Sequence, residues 1–400
     1  METREYKTKT IMNEDYNPFF PGSWSIAIDI GYSSVKCMSP NKTFSFPTFV
    51  KKCDDDTREI VQSNGLTLRF RDKNGTEYEV GGLALVLADI REVNDNTKTM
   101  YGRDWYGTET YQICMETALG LALLSNKKRS FKNEAIKVVT GLPCKYTDDA
   151  KILKRMITGR HTFDLILPNR TEWEHFDFEV CETVVLPQPS GAMLSAMYDN
   201  TGKMTSEGQS LNNENIVVFD GGFGTLDLYG VISGVATVRS TYSDCGMKEV
   251  FLRTVSDIKK NYDTEIPVPM LYKYLDNGNL NYFELRPEAA SIDFGDPKTY
   301  IKKNVNISEI LCRHSAEVAK SSLQHLLNDT SHLSGYNYVI LSGGSAAAWS
   351  DYLTKAISAL EVCIVDLQKN NNRIDPIFYN VRGYYMFLFR KLREERSEKQ

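Results

Sequence analysis

Two hydrophobic rhythms take turns along the chain, a period-two alternation and a 3.6-residue periodicity. Residues 24–30 (WSIAIDI) and 33–38 (SSVKCM) read as two strands joined by a turn, and KTFSFPTFV follows. LTLRFRDKNGTEYEVGG is a predicted hairpin, because Asn74-Gly75 sits between two alternating runs. GTETYQICMETALGLALLSNK has apolar residues at helical spacing, and EAIKVVTGLP (134–143) reads as a buried strand ending in a Gly-Leu-Pro turn. A helix is expected near 147–158, followed by TFDLILP and by the strand of HFDFEVCETVVLP. That strand is expected to break at Pro187-Gln188-Pro189 and become a helix from about Ser190. The two prolines fix the chain direction around Gln188, which suits a crossing between domains.

The second half reopens the same way. NIVVFDGGFGTLDLYGVISGVATVRS reads as strand, glycine-rich turn, strand, turn, strand, with a helix from Gly246. A polar, inserted region (262–305) with no recognisable motif precedes an amphipathic helix over about 306–328. NYVILSGGSAAAWSDYL is a strand, a Gly-Gly turn and a helix start, and the chain closes on an amphipathic helix that fades into mixed charge. Residues 1–23 lack periodicity and end in NPFFPGS, which reads as a loosely ordered arm with its aromatics docked on a surface. Strands alternate with helices while antiparallel hairpins recur in each half. The expected class is α/β, with mixed sheets and a duplicated core.

Bulk properties narrow the function. At 400 residues two domains are the default, and 42% hydrophobic with 25% charged residues describes an ordinary globular chain. The net charge of -5 argues against a free-standing nucleic-acid binder, though not against reaching DNA through an adaptor. The 8 cysteines form no C-x-x-C pair and no Cys/His cluster at metal spacing, so reduced, mostly buried thiols are expected. The N-terminus is polar and unlike a signal peptide, and no apolar run approaches the roughly eighteen residues that span a bilayer. A cytoplasmic protein is expected.

Three turns carry the chemistry: Asp29-Ile30-Gly31-Tyr32-Ser33, Asp220-Gly221-Gly222-Phe223-Gly224-Thr225 and Ser342-Gly343-Gly344-Ser345. In each, glycine lets backbone N–H groups approach a ligand with no Cβ in the way. Two of the three place an acid at a strand end. Two aspartates facing one another across a cleft repel, and a divalent cation with a polyphosphate relieves that repulsion; magnesium prefers one or two carboxylates, waters and phosphate oxygens. Any one of these turns alone reads as an ordinary connection. Their joint occurrence, in order, at strand ends in two similarly built halves points to a Mg-nucleotide. The chain has no G-x-x-x-x-G-K-[ST] run and no G-x-G-x-x-G opening an N-terminal helix, which excludes the P-loop and argues against a dinucleotide fold.

The order of these motifs resembles the actin, heat-shock chaperone and sugar kinase ATPase superfamily. DIGYSSVK, VVTGLP, PQPSGAM, FDGGFGTLD, VILSGGSA and NVRGYY look, more closely, like the ParM-type bacterial actins of plasmid segregation, over about residues 24–390. The resemblance implies two domains with ribonuclease H-like cores flanking a nucleotide cleft: 24–188 completed by 373–400, and 189–372, with 1–23 as the arm. It implies that Asp29 to Lys36 is the first phosphate hairpin, including Gly31, Tyr32, Ser33, Ser34 and Lys36. Asp220 to Asp227 is the second, including Gly221, Gly222, Phe223, Gly224 and Thr225. Asp29 and Asp220 would act on Mg2+ through water, Gly31, Ser33, Gly222 and Thr225 would reach phosphate oxygens, and Lys36 would balance β/γ-phosphate charge. Gly343, Gly344 and Ser345 would hold the adenosine. Gln188 sits where the ParM pattern has a glutamate and actin a glutamine; an amide orients the attacking water without deprotonating it. Tyr32 departs from actin, which has a phosphate-contacting serine there, so the hydroxyl role passes to Ser33 or to backbone N–H groups.

The function implied is a filament-forming ATPase for plasmid DNA segregation. It would bind Mg-ATP or Mg-GTP between its domains, polymerise with itself, and reach a centromere-like site through a ParR-type DNA-binding adaptor. A small-molecule kinase of the same superfamily is the alternative; it needs a general-base aspartate on the sugar side of the cleft and usually a longer chain, and no convincing candidate stands out, although the sequence leaves a free aspartate such as Asp227 open. A chaperone or a cell-shape scaffold is a third reading, although neither an added substrate domain nor an amphipathic membrane helix is evident.

Overall fold

The computed structural model describes residues 6, 8, 10–53, 67–87, 103–263, 265–275, 278–285, 300–369 and 373–398. Its first half runs β1 (Ile11–Glu14), β2 (Ser23–Ile30), β3 (Ser34–Met38), β4 (Lys42–Pro47), β5 (Val50–Lys52), β6 (Leu68–Arg71), β7 (Glu77–Val80), α1 (Gly82–Leu87), α2 (Glu109–Ala122), β8 (Ala135–Leu142), α3 (Ala150–Ile157), β9 (Gly159–Ile166), β10 (Glu174–Pro187) and α4 (Gln188–Met197). The second half runs α5 (Ser206–Leu211), β11 (Ile216–Gly221), β12 (Leu226–Ile232), β13 (Val235–Tyr242), α6 (Met247–Tyr262), α7 (Val268–Leu271), β14 (Asn279–Leu285), β15 (Tyr300–Asn306), α8 (Ile307–Asp329), β16 (Tyr338–Ser342), α9 (Gly344–Ala348), α10 (Ser350–Ser358), β17 (Cys363–Ile364) and α11 (Tyr379–Ser397).

The expected duplication is visible in strand order and sense. A ten-stranded sheet contains β4-β3-β2-β8-β10, and a five-stranded sheet is β13-β12-β11-β16-β17. In both, the first two pairings are antiparallel and the next two parallel. Burial follows from this layout. β11, central and covered on both faces, is buried along its whole length and reads as the unbroken apolar run IVVF. β9 and the first part of β10, paired antiparallel on the far side of the larger sheet, alternate buried and exposed residues instead. The fold is a mixed α/β one, as expected.

Four sequence expectations change. The arm is not loose throughout: Ile11–Glu14 form an edge strand antiparallel to β4, with Ile11 opposite Ser45 and Glu14 opposite Lys42. The run IMNE gives no alternating signal because this edge strand is nowhere fully buried. The helix after β10 begins at Gln188, two residues earlier than expected, with Pro187 as its cap. Proline fits a helix's first turn, where no N–H is needed inside the helix, so Pro189 belongs to the helix instead of preceding it. Region 262–305 is not featureless: it carries α7 and the β14–β15 pair. All eight cysteines are free thiols, but Cys181, Cys312 and Cys363 are exposed.

The two sheets meet over a shared core in which α4 and α11 cover Ala27 of β2, Val139 of β8, Val218 of β11 and Ile340 of β16. The two helices cross at Gly191 and Gly383. A Cβ on Gly383 would fall 1.7 Å from the Gly191 carbonyl oxygen, so only glycine permits this approach. Arg382, fully buried beside that crossing, donates to Ser195 O at 2.8 Å, Tyr198 O at 2.8 Å and Asn200 Oδ1 at 2.9 Å. It thereby satisfies carbonyls that the end of α4 leaves open. Burial lowers its pKa to about 10, which still leaves it charged at neutral pH.

Candidate functional site

The two glycine-rich hairpins are built alike. Gly31 N donates to Ser34 O at 3.0 Å, and Gly222 N donates to Thr225 O at 2.9 Å. Cross-strand register then sets the residue opposite each aspartate: Asp29 faces Lys36 across β2–β3, and Asp220 faces Asp227 across β11–β12. That single difference sets the charge each acid meets across its hairpin. Lys36 Nζ lies 3.4 Å from Asp29 Oδ2, so the first hairpin neutralises its own acid. The second hairpin buries two acids side by side.

Asp227 is held by hydrogen bonds to Cys144 N (3.1 Å), Thr241 Oγ1 (2.5 Å) and Thr225 Oγ1 (2.9 Å). Burial pushes it up to about 6 against the pull of those donors. Asp220 keeps one donor among the described contacts, Asn380 Nδ2 at 2.7 Å. Burial pushes it up to about 7, the charge of Asp227 pushes the same way, and Asn380 opposes. A buried carboxylate so short of positive charge either keeps a proton or pairs with a cation when one is supplied.

The third turn closes against the second hairpin. Gly343 has φ +89, and a Cβ there would sit 2.3 Å from Gly221 O and 2.9 Å from Asp220 Oδ1. Ser345 Oγ donates to Gly222 O at 2.7 Å, and Ser342 Oγ donates to Asn380 Oδ1 at 3.4 Å. Gln188, at the start of α4, directs Nε2 toward Asp29 Oδ1 at 3.5 Å, while its carbonyl accepts from Tyr384 OH at 3.0 Å.

These groups converge on a cleft of 380 Å³. Of the residues expected from sequence, Asp29, Ser33, Ser34, Lys36, Gln188, Asp220, Gly222, Phe223, Gly343, Gly344 and Ser345 line it. Gly31, Tyr32, Gly221, Gly224 and Thr225 belong to the hairpins but not to the lining. Tyr32 turns its ring toward Trp105, 6.1 Å between centroids, and toward Gly224, where a Cβ would fall 2.1 Å from Tyr32 Cδ2. Thr225 directs its hydroxyl to Asp227.

A model of the N-terminal domain of actin-like proteins matches residues 27–191. Solved structures match over nearly all of the chain. A non-polymerisable quadruple mutant of pCBH ParM gives a TM-score of 0.66 at 20% identity, covering 92% of this chain and 99% of that one. The fold is actin-like. A subunit of a 15-stranded ParM filament from Clostridium botulinum gives 0.63 at 19% identity, with the same coverage of 92% and 99%. An archaeal actin homologue in complex with ADP gives 0.57 at 14% identity, again covering 92% and 99%. No curated protein matches the sequence.

The actin-like cleft also contains residues that sequence reasoning missed. Asn380 and Asp375 come from the C-terminal segment, Met247 from the start of α6, and Tyr6 and Thr8 from the arm. NVRGYY was noticed as a motif, and Asn380 is its first residue, but nothing local says that it reaches Asp220. The donor set fits magnesium: two buried carboxylates, Asp29 and Asp220, line one pocket with hydroxyls and a lysine. Among the described residues no helix is long and apolar enough to cross a membrane.

Proposed function

We propose that this protein is a nucleotide-driven, filament-forming ATPase acting in plasmid DNA segregation. The observation that carries the nucleotide assignment is the pair of matched hairpins meeting at one cleft, with Lys36 on one side and an under-neutralised Asp220 on the other. Asp29 and Asp220 would hold Mg2+, which when bound screens phosphate charge. Backbone N–H groups of the hairpins with Ser33 and Ser34 cradle the phosphates, and Lys36 sits where β/γ charge accumulates. Gln188, next to Asp29, orients the attacking water; with no basic group of its own it positions rather than deprotonates, which makes hydrolysis slow.

Nucleotide held between 24–188 (with 373–400) and 189–372 fixes the angle between these two bodies, and that angle sets the strength of the end-to-end contact between copies. The filament among the structural neighbours supports self-assembly, and the ADP complex of the archaeal homologue supports an adenine nucleotide, with GTP as the competitor. The acidic net charge of -5 favours reaching DNA through a basic, ParR-type adaptor in the cytoplasm. The kinase reading is weakened by Asp227: its oxygens accept from Cys144, Thr241 and Thr225, and it does not line the cleft. A general base must reach its substrate.

High-speed pelleting of the pure protein with Mg-ATP, Mg-GTP or no nucleotide tests the proposal. Nucleotide-dependent pelleting that Asp220→Ala abolishes is expected. Tight Mg-nucleotide binding with no pelleting under any condition would leave the cleft assignment standing and remove the filament.

A further inference from the structure

The lining of the cleft divides by chemistry. Asp29, Ser33, Ser34, Lys36 and Asp220 are its charged and hydroxyl groups at the hairpins; Tyr6, Phe223 and Met247 are apolar and belong to, or pack against, the hydrophobic core of the second half. Phosphates suit the first set and a base the second. The aromatic side chain that comes from outside the fold's repeated halves is Tyr6. It is 7% exposed, buried in the core of the second half with Phe219, Met247, Phe251 and Tyr272. Thr8 also lines the cleft, and its Oγ1 donates to Tyr272 OH at 3.5 Å. Tyr272 in turn packs edge-on against Phe251 and beside Phe223. Five residues after Tyr6, Ile11 enters the edge of the ten-stranded sheet opposite Ser45. The arm therefore places two side chains in one half before it joins the sheet of the other.

We propose that Tyr6 and Thr8 complete the base subsite of the nucleotide cleft, with the Tyr6 ring as an aromatic wall for the purine and Thr8 fixing the Tyr272 side of that wall. This rests on the nucleotide reading of the cleft. An aromatic face attracts any base without reading its edge, so Tyr6 strengthens ATP and GTP binding alike. Because the strand Ile11–Glu14 pins the arm to the first half, base binding also ties that half to the second.

The test compares wild type, Tyr6→Leu and Tyr6→Phe in equilibrium binding of Mg-ATP, Mg-GTP and inorganic tripolyphosphate. Leucine stays apolar but is smaller and loses the ring; phenylalanine keeps the ring and nearly all of the volume. Tyr6→Leu is expected to weaken both nucleotides about tenfold and leave tripolyphosphate unchanged, with Tyr6→Phe close to wild type. Loss of tripolyphosphate binding in Tyr6→Leu as well would mean a general structural role and overturn the subsite. Unchanged nucleotide affinity would also overturn it. Tighter nucleotide binding in Tyr6→Leu would make the arm a plug, again contradicting the proposal. A wild-type protein that binds tripolyphosphate but neither nucleotide removes the base subsite altogether, and one that binds none of the three removes the nucleotide reading with it.

Discussion

Asp220→Asn should make the empty protein more stable and the loaded protein less so. Lifting a carboxyl from 3.8 to about 7 corresponds to about 4 kcal/mol, at roughly 1.4 kcal/mol for each tenfold in proton affinity. Between these two values the folded state holds a proton that the unfolded chain has released, so stability falls as pH rises through this window and is level above it. Asparagine removes the charge, and its carbonyl oxygen can still accept from Asn380 Nδ2, now at 2.7 Å from Asp220 Oδ2. A buried amide still costs desolvation, so about half of the gain is expected to survive, about 2 kcal/mol at pH 8. For a chain of this length that is a rise of about 2 °C in Tm. The advantage should shrink toward zero near pH 4, where aspartate is protonated in both states. Saturating Mg-ATP should reverse the order, because wild type gains about 3 kcal/mol at a hundredfold excess over Kd and the variant gains little. Thermal melts of both proteins at pH 4.5 and 8, with and without Mg-ATP, read all four corners. A variant less stable than wild type at pH 8, or an advantage of equal size at both pH values, would refute the reasoning.

Three further outcomes are expected. Lys36→Met should weaken Mg-nucleotide binding at least about tenfold, since it removes the cleft's cation beside Asp29; titration with a fluorescent nucleotide analogue checks this, and unchanged affinity would put the phosphates elsewhere. Gln188→Ala should slow phosphate release while pelleting with nucleotide persists, and turnover equal to wild type would take Gln188 out of the water-positioning role. Gly383→Ala should cost about 3 kcal/mol in denaturant unfolding, because the new methyl group meets the Gly191 carbonyl 1.7 Å away and two helices must part; a cost below about 1 kcal/mol would mean that the crossing is soft.

Much of the site was legible because its key parts are local. A strand, an acid, a glycine and a hydroxyl within six residues encode a hairpin turn, and the chain contains that pattern twice. The electrostatic contrast was also within reach: the same seven-residue step leads from Asp29 to Lys36 and from Asp220 to Asp227, and strand pairing places each couple opposite one another. What was hidden lies far apart in sequence. Asn380 reaches Asp220 across 160 positions because α11 crosses α4 at two glycines, a contact no periodicity reports. The strand Ile11–Glu14 pairs at a sheet edge without burying a face, so it carries no alternation, and Tyr6 and Thr8 went unread with it. In the inserted region, β14 and β15 pair across a connection much longer than a hairpin turn, and turn chemistry gives no hint of such a pairing.

The central claim is that nucleotide in this cleft drives assembly and that its hydrolysis undoes it. Light scattering of the pure protein after Mg-ATP addition, with phosphate release followed in the same tube, tests this most directly. A rise in scattering that decays as ATP is consumed, with phosphate release continuing into the decay, is the expected result. Steady phosphate release with flat scattering would contradict it and return the cleft to a non-polymerising enzyme.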